Sequence, residues 1–216
     1  MDASVWHGVF WNHLIYPELS YDEVEDPELT VAWVHEQLMH GAFPHYVVCI
    51  CLDEYSYLSL AERRESVSLV KRVIQRHISP QACQLLGFAH GNSVYFCGML
   101  DDPDSATSRD AFIKCLERLR DEIAVVNAIS ATIGIAFLAS SSIEAWRWAA
   151  QRAIVAQRSK VRLGASRVYV YDSAAHNACI SHDSYWYLAQ ELYTLVRSGD
   201  IDQVDRVLGN TIKHFF

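Results

Sequence analysis

The stretch from Tyr46 to Asp53 reads Tyr-Val-Val-Cys-Ile-Cys-Leu-Asp. Seven apolar residues in a row, three of them β-branched, lead directly to a carboxylate. A continuous apolar run of this length is typical of a strand that is buried on both faces. Cys49 and Cys51 are two positions apart, so their side chains lie on the same face of that strand. We therefore predict a central strand over Tyr46 to Leu52, with Asp53 at its carboxyl end.

The segments that follow this strand alternate between helical and strand patterns. Leu60 to Ile78 and Arg109 to Ile129 carry apolar residues at helical spacing. Cys83 to Ala89 and Val94 to Leu100 are apolar runs, and His90-Gly91-Asn92-Ser93 separates them. Because Gly and Asn both tolerate positive φ, this separator is typical of a hairpin turn. The sequence therefore predicts a helix, a β-hairpin and a second long helix.

Two further strands complete the predicted sheet. Thr132 to Ala139 and Arg167 to Tyr171 are apolar runs, and between them Ser140-Ser141-Ser142 can cap a third helix that runs to about Lys160. Strands that alternate with helices and include an internal hairpin predict an α+β fold, because a hairpin introduces antiparallel pairing. We expect a central mixed five-stranded sheet flanked by helices.

The flanking regions are predicted to be helical. Residues 1–42 form an N-terminal helical segment, residues 43–172 the sheet domain, and residues 173–216 a helical hairpin that serves as a connector. In the last of these, Ser184 to Arg197 and Ile201 to Ile212 have helical spacing. Because the chain ends on the apolar pair Phe215-Phe216, we expect it to be a piece of a longer protein.

Charge and composition exclude several classes of protein. Hydrophobic residues make up 51% and charged residues 20%, which indicates a globular fold. The first 62 residues contain eleven Asp or Glu and no Lys or Arg, so the basic start of a signal peptide is missing. No block of Lys and Arg predicts nucleic-acid binding, and no apolar run reaches the roughly 20 residues of a membrane span. We expect a cytoplasmic protein with reduced cysteines.

Metal binding is not indicated by the spacing of the candidate ligands. The Cys49-Ile50-Cys51 pair has no matching second pair, which a structural zinc site needs. His176, Cys179, His182 and Asp183 lie close together, but no interval fits a zinc pattern and the segment is typical of a polar connector. We expect no bound metal.

Four motifs, in this order, resemble the GGDEF domain of diguanylate cyclases over about residues 43–172. Val47 to Tyr55 is similar to the family's apolar strand that ends in D-x-D-x-F, and His90 to Val94 stands where the signature G-G-D-E-F lies. Thr132 to Ala136 resembles the S-x-G-x-A strand, and Gly164 to Asp172 the closing G-x-N-x-V strand. The resemblance implies a nucleotide-cyclase-like palm with extra helices at both ends.

The same resemblance implies that the catalytic residues of the family are missing. In active members, two carboxylates and a backbone carbonyl hold a divalent metal against GTP. The first carboxylate falls on Cys51, the second on Asn92, and the Glu of the signature on Ser93. Asp53 matches the second Asp of D-x-D. Because Mg²⁺ prefers hard oxygen ligands, the Cys51 thiol is a poor substitute, and the neutral Asn92 amide lacks the charge that neutralises phosphate. We therefore expect no enzyme activity and no cofactor.

The substrate-binding and product-binding residues of the family also differ here. Its guanine-reading residues fall near Ser59 and Leu60, and leucine offers no hydrogen-bond partner to a base. The product-inhibition motif R-x-x-D falls on Gln81 and Gln84. The leading interpretation is therefore a non-catalytic regulatory module, used for signal relay or dimerisation. The alternative is a small-molecule or nucleotide sensor that uses the altered cleft at Asp53, His90, Gly91, Asn92 and Ser93. An active cyclase is the third possibility.

The flanking residues suggest a setting for such a module. Phe10-Trp11-Asn12-His13-Leu14 and the C-terminal helices resemble the middle segment of YesN-type response regulators. There, a degenerate GGDEF-like segment lies between a receiver domain and an AraC-type DNA-binding domain. The resemblance implies a homodimeric transcriptional regulator of two-component signalling, with those two domains as neighbours. Trp146 and Trp148 lie two positions apart on one predicted helix, so we expect one to pack inward and the other to face a partner.

Overall fold

The computed structural model describes residues 10–11, 14–15, 34–36, 39–53, 58–79, 83–89 and 93–172. The chain divides into two compact units, residues 1–172 and 173–216, and every described residue belongs to the first. The helices predicted between Ser184 and Ile212, and the His176, Cys179 and His182 group, therefore lie outside the described residues. The three-part division at residues 42 and 172 stays a prediction.

The described elements follow the predicted order. They are β1 (Tyr46–Leu52), α1 (Leu60–His77), β2 (Gln84–Ala89), β3 (Ser93–Gly98), α2 (Ala106–Asn127), β4 (Ala131–Phe137), α3 (Ile143–Arg158), α4 (Lys160–Leu163) and β5 (Val168–Val170). Phe10, Trp11, Leu14 and Ile15 are helical, as are Val34 to Glu36. No helix within the described ranges is long and apolar enough to cross a membrane.

The five strands form one mixed sheet in the order β2-β3-β1-β4-β5. β1 is antiparallel to both β3 and β4, β2 is antiparallel to β3, and β5 is parallel to β4. The predicted fold class, a mixed five-stranded sheet flanked by helices, is confirmed. In this register Cys51 lies opposite Ser93 on one side and Thr132 on the other. The three residues thus lie at one level of the sheet, next to Asp53.

Some predicted boundaries were wrong by a few residues. Ser93, predicted in the turn, is the first residue of β3 because it still pairs with Cys51. α2 begins at Ala106 rather than Arg109, since the side chain of Ser105 accepts a hydrogen bond from the Ser108 N–H and caps the helix. The Ser140-Ser141-Ser142 segment caps α3 through Ser142, whose hydroxyl accepts from the Ala145 N–H.

Each face of the sheet has its own core. α1 and α2 cover the face that carries Tyr46, Val48 and Ile50, together with buried residues of β3 and β4. α3 covers the opposite face, which carries Val47 and Cys49. The helical residues Phe10, Trp11, Leu14 and Ile15 belong to this second core. The indole N–H of Trp11 donates to the carbonyl of Leu85 at 2.6 Å, which fixes these residues to the sheet.

Gly134 in β4 allows α3 to approach the sheet closely. A Cβ atom at this position would lie 2.8 Å from Cβ of Gln157 and against the carbonyl oxygen of Ala153. Both contacts belong to α3, and one is a backbone atom, so no rotamer change would relieve them. The glycine of the Thr132 to Ala136 motif therefore sets the distance between β4 and the helix that leads to Lys160.

Candidate functional site

The candidate site lies where β1 ends and β4 begins. Because these strands are antiparallel, the carboxyl end of β1 meets the amino end of β4. The backbone N–H of Asp53 donates to the carbonyl of Ser130 at 2.9 Å, which extends the pairing past the end of β1. This hydrogen bond places the Asp53 carboxylate beside the first side chains of β4.

The Asp53 carboxylate is nearly buried and is surrounded by donors. Its side chain is only 8% exposed. The hydroxyl of Ser130 donates to Oδ2 at 2.8 Å, and the hydroxyl of Thr132 lies 2.8 Å from Oδ1. The ammonium of Lys160 donates to Oδ1 at 2.9 Å. A buried carboxylate is stabilised when hydrogen bonds and an opposite charge replace its hydration, and Asp53 has both.

Lys160 also contacts the second residue of interest, Cys51. Its Nζ lies 3.3 Å from the Cys51 Sγ. Burial by itself lowers the pKa of Lys160, but its hydrogen bond to Asp53 and its interactions with Cys51 and the Asp53 carboxylate together raise the pKa above its usual value. The side chain therefore stays protonated at neutral pH, and its positive charge lies between the carboxylate and the sulfur.

The segment that leads into β5 is held by the same carboxylate. The backbone N–H of Ser166 donates to the Thr132 hydroxyl at 3.0 Å and approaches Oδ2 of Asp53 at 3.4 Å. Ser166 has φ +58° and Gly164 has φ +97°, so the chain turns sharply between α4 and β5. We call Asp53, Ser130, Thr132, Lys160 and Ser166 the Asp53 cluster. It joins β1, β4, α4 and the start of β5.

Cys49, two residues before Cys51 in β1, is a buried thiol that stays protonated at neutral pH. Cys49 is completely buried, and this burial raises the pKa of its thiol to about 12. Hydrogen bonding from Tyr95 and Ser93 only partly offsets the effect of burial. A thiol that stays protonated is a weak nucleophile and a poor metal ligand. Cys49 is therefore a packing residue, although it shares a sheet face with Cys51.

The structure describes only part of the site predicted from the sequence. Asp53 and Ser93 are described, and both lie near Cys51; His90, Gly91 and Asn92 lie outside the described residues. Ser59, matched to a guanine-reading residue, is the N-cap of α1. Its hydroxyl accepts from the Glu62 N–H, and its own N–H donates to the Glu62 carboxylate at 2.8 Å.

Four members of the Asp53 cluster were not predicted from the sequence. Ser130, Thr132, Lys160 and Ser166 are 77 to 113 residues away from Asp53 along the chain. Thr132 and Ser166 belong to two of the quoted motifs, but nothing in those motifs indicates a contact with Asp53. The strand order and the register of β1 against β4 were needed to find them.

These residues are a poor fit for the divalent metal that the family resemblance implies. Mg²⁺ prefers carboxylate, carbonyl and water oxygens, whereas Cys51 offers sulfur. An ion beside Asp53 would also face the Lys160 ammonium, which lies 2.9 Å from the carboxylate. In the described part of the chain, no group of three His, Cys, Asp or Glu side chains is placed to hold a metal.

No family model matches this chain, and no curated protein resembles it significantly. Among solved structures, the chain is similar to the coiled coil and GGDEF domain of DgcB from Caulobacter crescentus in complex with c-di-GMP. That match has 17% identity and a TM-score of 0.47, and it covers 65% of this chain and 74% of that one. The match to an EAL/GGDEF domain protein from M. capsulatus has 13% identity and a TM-score of 0.46, and it covers 64% of this chain and 97% of that one. The match to the GGDEF domain of PA1120 from Pseudomonas aeruginosa has 14% identity and a TM-score of 0.44, and it covers 66% of this chain and 83% of that one. At these identities the likeness concerns the fold alone.

Proposed function

We propose that this chain is a GGDEF-like module of a bacterial signalling protein that does not turn over GTP and acts in regulation. The observation that supports this most directly is the Asp53–Lys160 pair. The one carboxylate that matches the D-x-D motif is already neutralised by a lysine of the same chain, at 2.9 Å.

The chemistry of phosphoryl transfer explains why this pair matters. The reaction depends on positioning and on metal ions that stabilise charge on the phosphates. Here the ammonium carries one positive charge, is tied to Asp53 and cannot bridge two phosphate oxygens in the way that a divalent ion does. With sulfur at Cys51, neither position of the C-x-D motif in this chain offers a vacant hard ligand to magnesium.

The Asp53 cluster also supports a role in relaying a conformational state. It connects the ends of β1 and β4 to the turn before β5, and β5 ends at Val170, two residues before the boundary of the first compact unit. A change at the cluster would therefore alter the segment through which the chain continues to residues 173–216. We propose that this segment transmits a conformational change to neighbouring domains in a homodimeric transcriptional regulator. Light scattering on this chain tests whether it is a dimer.

A sensor function is the second candidate, and the partial exposure of Lys160 favours it. The Lys160 side chain is 24% exposed, so a small ligand could reach the cluster from solvent. Thermal-shift measurements with nucleotides and sugar metabolites separate the two functions, because a ligand at a hundred times its Kd stabilises the folded protein by about 2.7 kcal/mol. A relay module without a ligand shows no shift with any of them.

The test of the proposal is a turnover assay on the whole chain with GTP and Mg²⁺. We expect no cyclic di-GMP from the wild-type chain, measured by chromatography over hours. The matched control is Asp53→Asn, which removes the carboxylate but keeps its size. Product from the wild-type chain that disappears in Asp53→Asn would contradict the proposal, because it would show that Asp53 serves a working catalytic site.

A further inference from the structure

Cys51 is a thiol whose own chemistry has no part in the regulatory role proposed above. It is 5% exposed, and its sulfur lies 3.3 Å from the Nζ of Lys160. Among the described cysteines, only Cys51 has the amine of a described lysine at hydrogen-bond distance. Because an oxidised sulfur can form a bond with a nearby nitrogen, the geometry of this pair decides whether the two side chains can be joined.

The two atoms are already at the distance from which a bond can form. Reacting groups are well placed when they are held about 3–3.5 Å apart, and the Cys51 sulfur and the Lys160 nitrogen are 3.3 Å apart. The nitrogen is held by Asp53, whose Oδ1 accepts a hydrogen bond from it at 2.9 Å. The backbone N–H of Asp53 is bonded to Ser130, and Cys51 lies in the central strand β1, so the sheet holds both atoms.

A small oxidant can reach this sulfur. Part of the Cys51 surface contacts solvent, and the Lys160 side chain beside it is 24% exposed. Hydrogen peroxide is little larger than water, and the Lys160 ammonium can donate a hydrogen bond to the hydroxide that leaves the peroxide. Cys49, on the same face of β1, is more deeply buried, and this burial raises the pKa of its thiol to about 12. Cys49 should therefore stay reduced.

We propose that Cys51 and Lys160 form a modification site, at which a peroxide joins the sulfur to the lysine nitrogen. In the first step, the Cys51 sulfur attacks one oxygen of hydrogen peroxide and the O–O bond breaks. The departing hydroxide takes the thiol proton and leaves as water. The sulfur has then lost two electrons to the peroxide and is a sulfenic acid.

The second step forms the S–N bond and releases another water molecule. One proton of the Lys160 ammonium passes to the Asp53 carboxylate, which frees the lone pair of the nitrogen. The nitrogen attacks the sulfur, the S–O bond breaks, and the departing hydroxide takes a second proton from the nitrogen. The product is a sulfenamide, the class of bond that a sulfenic acid also forms with a backbone nitrogen. Two equivalents of an external thiol return the sulfur and the amine to their starting state and leave as a disulfide.

The cross-link changes the Asp53 cluster in two ways. Lys160 loses its charge while Asp53 gains a proton, so the ion pair disappears. β1 and α4 become covalently joined through residues that lie 109 positions apart, next to the turn that leads into β5. The use of this change as a signal rests on the regulatory role proposed above. The chemistry does not, because GTP turnover and the cross-link are measured separately.

The experiment treats the whole chain with a small excess of hydrogen peroxide and blocks the remaining thiols after denaturation. Trypsin and a protease that cleaves after Glu then release the peptides. We expect residues 37–54 linked to residues 159–162, with a mass lower than the sum of the two peptides and one blocking group by two hydrogen atoms. The blocking group should be on Cys49, which shares the first peptide. Dithiothreitol added before blocking should abolish the linked pair.

Two variants and two matched controls separate the cross-link from general oxidation. Lys160→Arg keeps a positive charge beside Asp53, but a guanidinium that stays protonated is a poor nucleophile. The linked pair should be lost in this variant, and Cys51 should accumulate as a sulfinic acid instead. Cys51→Ser should lose the pair as well. Cys115→Ser and Lys114→Arg change a half-buried thiol and an exposed lysine of α2, and both should keep the wild-type yield.

Several results would overturn the proposal. A linked pair that persists in Lys160→Arg, or one that is attached through Cys49, would show that the sulfur and the amine of this site are not the reacting groups. A wild-type chain in which Cys51 ends as a sulfinic acid, or stays reduced while Cys115 is oxidised, would show that the contact does not lead to a bond. None of these results would bear on GTP turnover.

Discussion

Replacing Lys160 by methionine tests the Asp53 cluster most directly. The substitution keeps the length and much of the apolar volume of the side chain but removes the ammonium. Asp53, which is 8% exposed in the wild-type chain, then keeps its hydroxyl donors Ser130 and Thr132 but has no compensating charge. We expect the folded state to lose stability because a largely buried carboxylate is then left without an opposite charge beside it.

The size of the loss follows from the geometry of the pair. Breaking a fully buried ion pair by removing one partner costs about 3–5 kcal/mol. Lys160 is 24% exposed, so solvent screens part of its interaction, and the two hydroxyl donors still stabilise the charge. We therefore expect Lys160→Met to lower the free energy of unfolding by about 2–3 kcal/mol.

Urea unfolding at pH 7, followed by tryptophan fluorescence, measures this change. Lys114→Met is the matched control, because Lys114 lies on the exposed side of α2. The double variant Asp53→Asn with Lys160→Met should recover part of the loss, since it removes the unpaired charge as well. A Lys160→Met chain as stable as the Lys114→Met control would refute the reasoning.

The pH dependence of the same comparison gives an independent check. The pKa of Lys160 is raised in the folded chain. The contribution of its charge to the free energy of unfolding is therefore fully present below the pKa of the unfolded chain, and it is lost as the pH rises through the pKa of the folded chain. The stability difference between wild type and Lys160→Met should stay constant from pH 7 to about 10 and shrink above the ordinary lysine value of about 10.4. A difference that shrinks between pH 7 and pH 9 would contradict this assignment.

Three further predictions concern the frame around the cluster. Gly134→Ala should destabilise the fold by about 3 kcal/mol in the same urea assay, because the new Cβ meets the α3 backbone. A variant as stable as wild type would contradict this, because it would show that α3 can move away from β4 freely. Ser59→Ala should cost about 1 kcal/mol through loss of the α1 cap, and Ser68→Ala on the exposed side of α1 should not. Cys49 should stay unreactive toward a thiol reagent in the folded chain at pH 9, since the pKa of its thiol is about 12; labelling at the rate of an exposed thiol would contradict its burial.

The sequence predicted the sheet well because its strands are continuous apolar runs. β1 has the predicted limits, Tyr46 to Leu52, since both of its faces are buried and apolar residues fill every position. The start of α2 was missed because Ser105 lies in a polar stretch where several residues could cap a helix. The limits of β3 depend on pairing with β1, and local composition does not reveal that pairing.

The candidate site was harder to predict than the fold. Asp53 was found through its place at the end of an apolar strand, and Cys51 through the motif around it. Lys160 was missed because its partner lies 107 residues away, and a lysine at the end of a helix is ordinarily a solvated residue. Its role depends on how closely α3 approaches β4, which Gly134 sets, so the tertiary structure was needed to recognise it.

We propose that the Lys160 ammonium occupies the position beside Asp53 that a divalent metal would need. Titration of the whole chain with Mn²⁺, followed by the electron paramagnetic resonance signal of the free ion, tests it most directly. We predict that the signal grows as it does in buffer and is the same for wild type and Asp53→Asn. Tight uptake of one Mn²⁺ per wild-type chain, lost in Asp53→Asn, would contradict the claim.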